Sequence, residues 1–387
     1  MGKPMSSDQF SKIEEYFQIV ASLVYTNQNS GNSSVVHEMI SLASDMVDFY
    51  RRYWKLDMDW AYEELLNNLN KPSDILTASA NDMLGRGYPE AAFYLAKTSA
   101  SLDESHRYQL ILAECQRRSG RVDASRAVCS RILQEQPGSH AAMSESFMCD
   151  VSDKFWSKDY YDIFSSIHRN RQPRVYLEIG VATGKSLALA RTGTRALGVD
   201  PALAEQKGPL YHSPENTPQL YGITSDDFFA TLDVAKEMGQ PNFNVAFIDG
   251  LHHFDQVLRD FINLEKFAGP DSVILVHDCL PINVQVAKRE RTTAFWTGDV
   301  WKIIPCLKTV RPDLEIVTFP APPAGLAMVR RLDPSSKVLS RQYINIVEQF
   351  ETLELPESWE ERCRLLAVEN DESAFDVERF FPLGGWP

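Results

Sequence analysis

The chain has 387 residues, a length that predicts two or three domains with a sizeable buried core. Acidic residues exceed basic ones by 53 to 39, and the resulting net charge of −14 argues against a surface that binds nucleic acid or an anionic membrane. Hydrophobic residues make up 44% and charged residues 24%, a globular composition that excludes wholesale disorder.

The cysteines indicate a reducing compartment. They lie far apart, with no C-x-x-C pair, at positions Cys115, Cys129, Cys149, Cys279, Cys306 and Cys363. A disulfide framework or a structural zinc site is therefore not expected. The N-terminus lacks the apolar region of a signal peptide, and no apolar run approaches the roughly 20 residues that span a bilayer. We expect a cytoplasmic protein with no membrane partner.

Residues 1–150 show helical periodicity and predict an all-α domain. Amphipathic helices are expected over residues 8–27, 34–54 and 57–70. The third helix should stop before Pro72, because the residue that precedes a proline disfavours the helical conformation.

A weak internal repeat follows. A segment beginning Gly87-Tyr-Pro-Glu-Ala recurs 33 residues later as one beginning Gly120-Arg-Val-Asp-Ala, and Pro137 closes the second copy. This period resembles tetratricopeptide repeats over residues 77–140, and an irregular helical domain is the alternative. The resemblance implies a contact surface for a protein partner, a second subunit in a homo-oligomer or a long substrate.

From residue 171 short apolar strands alternate with helical segments. Strands are predicted over 174–178, 196–200, 219–223, 244–249 and 272–277, with helices over 184–193 and 254–267. This alternation predicts an α/β fold with a doubly wound, mostly parallel sheet. Two late strands, 314–319 and 325–331, suit an antiparallel hairpin, and the chain then returns to helix. We expect a catalytic domain over 151–333 and a helical extension over 334–387.

The ends of the first two strands predict an adenosine-type pocket, since ligands bind at the carboxyl ends of such strands. Gly180 and Gly184 permit a sharp turn and a close approach of backbone to ligand. Asp200, at the end of the second strand, is placed to accept hydrogen bonds from both hydroxyls of a ribose. A dinucleotide fingerprint needs glycine where this chain has Ala182 and Lys185, so pyrophosphate binding is disfavoured.

The remaining pattern, E-x-G-x-x-x-G followed by an acid after the next strand, resembles class I S-adenosylmethionine-dependent methyltransferases. The resemblance implies a Rossmann-like fold and a cofactor site at Glu178, Gly180, Gly184, Ser186 and Asp200. It also places Ser225 and Asp226 where that family contacts adenine, although Ser-Asp pairs are common helix caps as well.

The stretch from Phe247 to Asp260, followed by His277 and Asp278, closely resembles a bacterial group of these enzymes marked by I-D-G-x-H-x-(aromatic)-(acid)-x-V-x-x-D. Macrocin-type sugar O-methyltransferases are relatives. The resemblance covers about 171–331. It implies that Asp249 and Asp278 bind Mg²⁺, that Asp249 also adjoins the cofactor, and that His252 is the general base.

One departure concerns the metal. Where metal-dependent relatives often have a second acid beside the last aspartate, this chain has His277. Because Mg²⁺ prefers oxygen ligands, His277 weakens that site, shifts it toward Mn²⁺, Fe²⁺ or Zn²⁺, or indicates that no metal binds. His252 itself has an alternative role as a structural cap of the next helix, and His253 is a substitute base.

The loop between the fifth and sixth strands is rich in tryptophan and charge. Trp296, Asp299 and Trp301 either line an acceptor pocket or belong to the core. The basic cluster 288–291 either contacts an anionic substrate or forms a solvated helix face.

The sequence favours methylation of a hydroxyl on a small molecule or natural product, with possible help from a divalent cation, because a base and a cation both promote hydroxyl deprotonation. Three alternatives stay open. They are an N-methyltransferase on the same fold, a metal-dependent oxygenase of a related group, and a non-catalytic helical-repeat scaffold.

Overall fold

The structure is a computed structural model that describes residues 72–85, 87–205 and 215–369. The chain forms two compact units, Met1–Cys149 and Asp150–Pro387. The helices expected over 8–27, 34–54 and 57–70 lie outside the described residues.

The first unit is helical in its described part. Its helices are α1 Pro72–Gly85, α2 Pro89–Leu102, α3 His106–Arg118, α4 Val122–Glu135 and the larger part of α5 His140–Lys154, which ends in the second unit. Both copies of the weak repeat occupy the same kind of turn, since Gly87 has φ +81° two residues before α2 begins and Gly120 has φ +82° two residues before α4 begins. Small buried residues, such as Ala92 and Ala96, let α2 pack closely on its neighbours. The tetratricopeptide likeness stays a prediction.

The second unit contains a seven-stranded sheet in the order β3-β2-β1-β4-β5-β7-β6. The strands are β1 Val175–Ile179, β2 Arg195–Val199, β3 Gln219–Tyr221, β4 Phe243–Ile248, β5 Ala268–His277, β6 Glu315–Phe319 and β7 Leu326–Arg330. The pairs from β3 to β5 are parallel, while β7 is antiparallel to both β5 and β6. The predicted α/β fold and its late hairpin are confirmed.

Helices flank the sheet. They are α6 Tyr160–Asn170, α7 Ser225–Thr231, α8 Val234–Met238, α9 Phe254–Glu265, α10 Ile303–Val310, α11 Val338–Arg341, α12 Tyr343–Glu351 and α13 Trp359–Leu365. Every residue of β1 and β4 is buried, as continuous apolar runs in a doubly covered parallel sheet require. Phe164 from α6 packs on this core against Phe247 of β4. The core therefore fixes the carboxyl ends of the central strands.

The helix predicted over 184–193 is wrong. Only a single 3-10 turn, Leu187–Leu189, forms there. Gly184 and Gly193 both have positive φ, so a helix between them has at most two turns, a marginal length. Asn216 then donates hydrogen bonds from Nδ2 to the carbonyl oxygens of Arg191 and Thr194, at 2.7 and 2.6 Å, which holds this end of the segment in a loop.

The outer strand β6 is covered by a later part of the same chain. The amide of Thr318 donates to the carbonyl oxygen of Ala367 at 2.9 Å, and the amide of Glu369 donates to that of Thr318 at 2.9 Å. The segment 367–369 thus lies beside β6, with a parallel bridge between Thr318 and Val368. At the other edge, β3 has only three residues.

Over the described ranges, no helix combines the length and the apolar character that crossing a bilayer requires.

Candidate functional site

A cavity of about 710 Å³ opens at the carboxyl ends of β1, β2, β4 and β5. The residues at its wall are Ile179, Gly180, Ala182, Val199, Asp200, Pro201, Thr224, Ser225, Asp226, Asp249, Gly250, Leu251, His252, Gln256, Asp260, His277, Asp278, Ala294, Phe295 and Trp296. Parallel strands bring these residues together because their carboxyl ends meet at one edge of the sheet. The cavity is of the size that small molecules and cofactors occupy.

The turn after β1 is built from close backbone contacts. Gly180 has φ +87°, and a Cβ atom there would lie 2.1 Å from the carbonyl oxygen of Asp249. Asp200 fixes the same turn, because its Oδ2 accepts hydrogen bonds from the amides of Val181 and Ala182 at 3.0 and 2.9 Å. Its Oδ1 accepts from the amide of Ala202 at 2.8 Å. These bonds leave roughly one of the four acceptor positions of the Asp200 carboxylate for a ligand hydroxyl.

Glu178 and Ser186, which the sequence placed in the cofactor site, lie behind the turn. Glu178 is fully buried and accepts hydrogen bonds from the hydroxyls of Tyr176 and Ser186, both at 2.6 Å. Burial raises the pKa of Glu178 to about 8, although these two hydroxyl donors lower it. Neither residue is at the cavity wall, nor is Gly184. Their observed contacts support the turn from inside the domain.

The predicted adenine-contact residues, Ser225 and Asp226, do lie at the wall, at the start of α7. Gln256 of α9 links them, since its Nε2 donates to Ser225 Oγ at 3.2 Å and lies 3.4 Å from Asp226 Oδ1. The same Nε2 donates to Asp260 Oδ1 at 3.1 Å. Burial raises the pKa of Asp260 to about 6.

Sequence reasoning assigned no role to Gln256 or Asp260. One signal was present, because Asp260 falls on the apolar stripe of α9 beside Val257, Phe261 and Leu264, where an acid is unusual. The contact between Gln256 and α7 is long-range and left no such signal.

The residues predicted for chemistry form one cluster. His252 Nε2 lies 2.9 Å from Asp278 Oδ2 and 3.4 Å from Asp249 Oδ1. His277 Nδ1 lies 3.3 Å from Asp249 Oδ1 and 3.5 Å from Asp278 Oδ1. Potential ligand atoms of Asp249, His252 and Asp278 all fall within 4.8 Å of one another, which suits a cation site. The structure thus brings the four residues together, and the group whose ligand atoms suit a cation contains His252 and not His277.

The carboxylates dominate the electrostatics of this cluster. Burial lowers the pKa of His252, but the nearby Asp278 and Asp249 outweigh it and raise that pKa to about 10. The pKa of His277 is likewise raised well above its ordinary value against the effect of burial. The pKa of Asp278 is lowered, because the two histidines outweigh the effect of burial. Without a cation, both imidazoles therefore favour the protonated form.

The tryptophan-rich loop divides between wall and core. The Trp296 ring lies at the wall and stacks on His252, with 5.4 Å between ring centroids and 25° between planes. Trp301 is 2% exposed and belongs to the core. Asp299 is equally buried and is not at the wall. The basic residue Arg289 pairs with Asp255 at 2.7 Å, and no residue of the cluster 288–291 is at the wall.

A known protein family has a sequence model that matches the segment from which most of this cavity is built. Residues 177–279 match the family model described as a methyltransferase domain. The match covers about a quarter of the chain and runs from β1 to just past Asp278. It confirms the predicted enzyme class, a methyltransferase. No curated protein matches the chain.

Solved structures include distant likenesses. The O-methyltransferase TomG from Streptomyces achromogenes, in complex with SAM, is 18% identical, with 44% of this chain and 78% of that chain covered and a TM-score of 0.30. The SAH-bound methyltransferase PaMTH1 from Podospora anserina is 15% identical, with 47% and 82% covered and a TM-score of 0.33. The O-methyltransferase from Bacillus cereus, in complex with SAH, is 14% identical, with 52% and 96% covered and a TM-score of 0.31. We draw nothing about cofactor or substrate from likenesses this distant.

Proposed function

We propose that this protein is an S-adenosylmethionine-dependent O-methyltransferase that acts on a hydroxyl of a small molecule or natural product. One observation carries the proposal. The turn at Gly180, the acid Asp200 and the cluster around His252 line one cavity at the strand ends, within the segment that matches a methyltransferase domain.

The wall suits this cofactor in charge as well as in size. Its charged side chains include five carboxylates, those of Asp200, Asp226, Asp249, Asp260 and Asp278. S-adenosylmethionine carries a sulfonium, an ammonium and a carboxylate group, so its net charge is positive, and a wall rich in carboxylates attracts such a cation. Asp200 and the turn at Gly180 would hold the ribose side, and Ser225 and Asp226 the adenine. The bound cofactor supplies an electrophilic methyl group.

Chemistry on the acceptor would fall to the cluster of Asp249, His252, His277 and Asp278. A divalent cation held by Asp249 and Asp278, with His277 as a third donor, would lower the pKa of an acceptor hydroxyl. His252 would then take the hydroxyl proton at Nε2. One imidazole nitrogen cannot hold a cation and accept a proton together, so a base role for His252 requires that Nε2 stays off the metal.

The acceptor side of the cavity is apolar around His252 and carries no lysine or arginine in the part that the structure describes. The apolar wall residues include Leu251, which is 58% exposed, Phe295 and Trp296, which stacks on His252. Among the described wall residues there is no lysine or arginine. Because five carboxylates and no lysine or arginine line the described wall, we expect it to disfavour an anionic acceptor and to accept a neutral or cationic one.

Calorimetry with S-adenosylmethionine tests the proposal. The full chain should bind it, and Asp200→Ala should weaken binding by about tenfold or more, the effect of losing a hydrogen bond to a charged group. Asp233→Ala is the matched control, since Asp233 caps α8 at the amide of Lys236 and is not at the wall. Absence of binding by the wild-type chain would rule the proposal out, and unchanged affinity in Asp200→Ala would contradict the cofactor site proposed here.

Product analysis separates the alternatives. Formation of S-adenosylhomocysteine together with a methyl ether identifies O-methylation, and a methylated amine identifies N-methylation. Incorporation of oxygen with bound iron would instead indicate the oxygenase. A partner that binds the helical region 77–140 without any turnover would favour the scaffold.

We also propose a cytoplasmic location. It is supported by six buried cysteines that are all free thiols. We also propose that the helical first unit provides the surface for a second subunit or a protein partner.

A further inference from the structure

His252 has an unusual backbone conformation, and among the described residues no hydrogen bond at its second ring nitrogen holds the ring in place. Its φ is +59°, which side-chain-bearing residues rarely adopt. Its Nδ1 is buried and makes no hydrogen bond with any residue the structure describes. A working histidine is ordinarily oriented by a hydrogen bond at its second nitrogen. Something else must therefore hold this ring toward Asp278.

The four residues Trp296–Asp299, which we call the His252 clamp, touch His252 and the residues after it in three ways. The ring of Trp296 stacks on the imidazole. Gly298, at φ +63°, lies so close that a Cβ atom would be 1.9 Å from the carbonyl oxygen of His252 and 2.9 Å from its Cβ. Asp299 Oδ1 accepts a hydrogen bond at 2.8 Å from the amide of Phe254, two residues after His252.

This last hydrogen bond replaces a missing helix cap. The N-cap position of α9 is His253, whose side chain makes no capping hydrogen bond. Asp299 supplies the acceptor from 45 residues further along the chain. A carboxylate here also interacts favourably with the positive end of the helix.

The clamp is itself held in place. Trp296 Nε1 donates to the carbonyl oxygen of Lys288 at 2.6 Å, and the amide of Thr297 donates to that of Val286 at 3.0 Å. Asp299 Oδ2 lies 3.5 Å from Lys302 Nζ and 3.6 Å from Arg289 Nη1. Asp299 therefore stays in one orientation while it caps α9.

We propose that Gly298 and Asp299 are positioning residues for His252, holding its main chain and the start of α9 so that the imidazole faces Asp249 and Asp278. This rests on the proposed function, in which His252 acts on the acceptor. Neither residue touches the cavity, so their effect is on the rate of the reaction and not on cofactor binding.

Substitutions at Asp299 provide the decisive comparison. Asp299→Ala removes the acceptor for the Phe254 amide, whereas Asp299→Asn keeps a side-chain oxygen that can accept it. We expect Asp299→Ala to lower kcat by about 100-fold, the effect of a displacement of about 1 Å at a reacting group. Asp299→Asn should recover most of that loss. The dissociation constant of S-adenosylmethionine should stay within about twofold in both variants, because the cofactor contacts do not change.

A control and a second variant complete the test. Asp233→Ala makes the same change at the cap of α8 and should leave kcat unaltered. Gly298→Ala should lower kcat like Asp299→Ala, and if it does not fold, the Asp299 pair still decides. Equal kcat in wild type, Asp299→Ala and Asp299→Asn would overturn the inference, as would equal losses in both variants.

The proposed function is tested separately by the wild-type chain. If that chain neither binds S-adenosylmethionine nor forms S-adenosylhomocysteine, the proposed function fails, and the inference is then decided by a crystal structure of Asp299→Ala. Retention of the 2.9 Å separation between His252 Nε2 and Asp278 Oδ2 in that structure would overturn it, and loss of that separation would support it.

Discussion

His252 and Asp278, whose side chains meet at 2.9 Å, both have left-handed backbones, with φ of +59° and +57°. Each follows a central strand, His252 four residues after β4 and Asp278 directly after β5. Such conformations cost about 1 to 3 kcal/mol each and persist only where the surroundings impose them. Two left-handed residues meet at this one contact. We infer that the fold maintains the geometry of His252 and Asp278 for function.

A divalent cation held by Asp249 and Asp278 should support turnover. We expect methyl transfer to stop when the protein is stripped with a chelator and to return when a divalent cation is added. Asp278→Asn should weaken cation affinity by about tenfold or more, since it removes a charged ligand. The measurement is metal content and affinity for Mg²⁺ and Mn²⁺, with Asp233→Asn as control. Full turnover in the stripped protein would contradict this.

Glu178 should make stability depend on pH. Its pKa is about 8 in the folded state, against 4.5 as the ordinary value, so between these values the folded chain binds more protons than the unfolded one. Stability contributed by this group is therefore complete below about pH 4.5 and is lost as pH rises toward 8, by up to about 1.4 kcal/mol per pH unit.

Glu178→Gln imitates the protonated carboxyl and should remove that part of the slope. Urea unfolding at intervals between pH 5 and 8 measures it. The variant should gain stability relative to the wild type as pH rises, and a difference that does not change with pH would show that Glu178 has an ordinary pKa.

Gly180 should be intolerant of a side chain for reasons beyond its φ. Gly180→Ala places a methyl group against the carbonyl oxygen of Asp249, and we expect a loss of about 3 kcal/mol together with loss of cofactor affinity. Gly193→Ala is the matched control, because φ is +90° there and nothing lies within 4 Å of the added methyl. It should cost only about 1 kcal/mol, with cofactor affinity retained. Equal losses in the two variants would contradict the close approach.

Gln256 should matter for cofactor affinity although no motif marked it. Gln256→Met keeps the length of the side chain but removes the amide that links Ser225 and Asp260. The dissociation constant of S-adenosylmethionine should rise about fivefold, as expected for one lost hydrogen bond. Gln240→Met, at the opposite end of β4, is the control. Unchanged affinity in Gln256→Met would separate this link from cofactor binding.

The charge of the acceptor can be tested with a matched series. Dopamine, 3,4-dihydroxybenzyl alcohol and 3,4-dihydroxybenzoate share a diol and differ in charge. With S-adenosylhomocysteine present, calorimetry should find the cation or the neutral alcohol binding at least about tenfold more tightly than the anion, because the described wall offers five carboxylates and no lysine or arginine. Preferred binding of the anion would contradict the expectation.

Much of the sheet could be predicted because its strands are short apolar runs separated by turns. All seven strands lie within a few residues of their predicted bounds, and the carboxyl-end rule brought Asp200, Asp249 and Asp278 to one cavity. The segment 184–193 was mispredicted because the positive φ of Gly184 and Gly193 leaves room for at most two helical turns, and hydrogen bonds from Asn216 hold its end in a loop.

The hydrogen bond by which Asp299 caps α9 could not be predicted from local sequence either. It joins residues 45 apart, and nothing in the local pattern at either end announces it. Local periodicity reports which residues share a face of one element, whereas such a hydrogen bond depends on where two elements meet.

The segment 367–369 alongside β6 has a consequence for how the protein behaves in concentrated solution. An unpaired outer strand is a template on which another chain can add, and proteins avoid this by covering or shortening such strands. Here one side of the sheet is shielded by Ala367 and Glu369, while on the other side β3 is too short to recruit a partner strand. A chain shortened to end before residue 366 would keep every residue of the cavity and still expose β6 to strand addition by other copies.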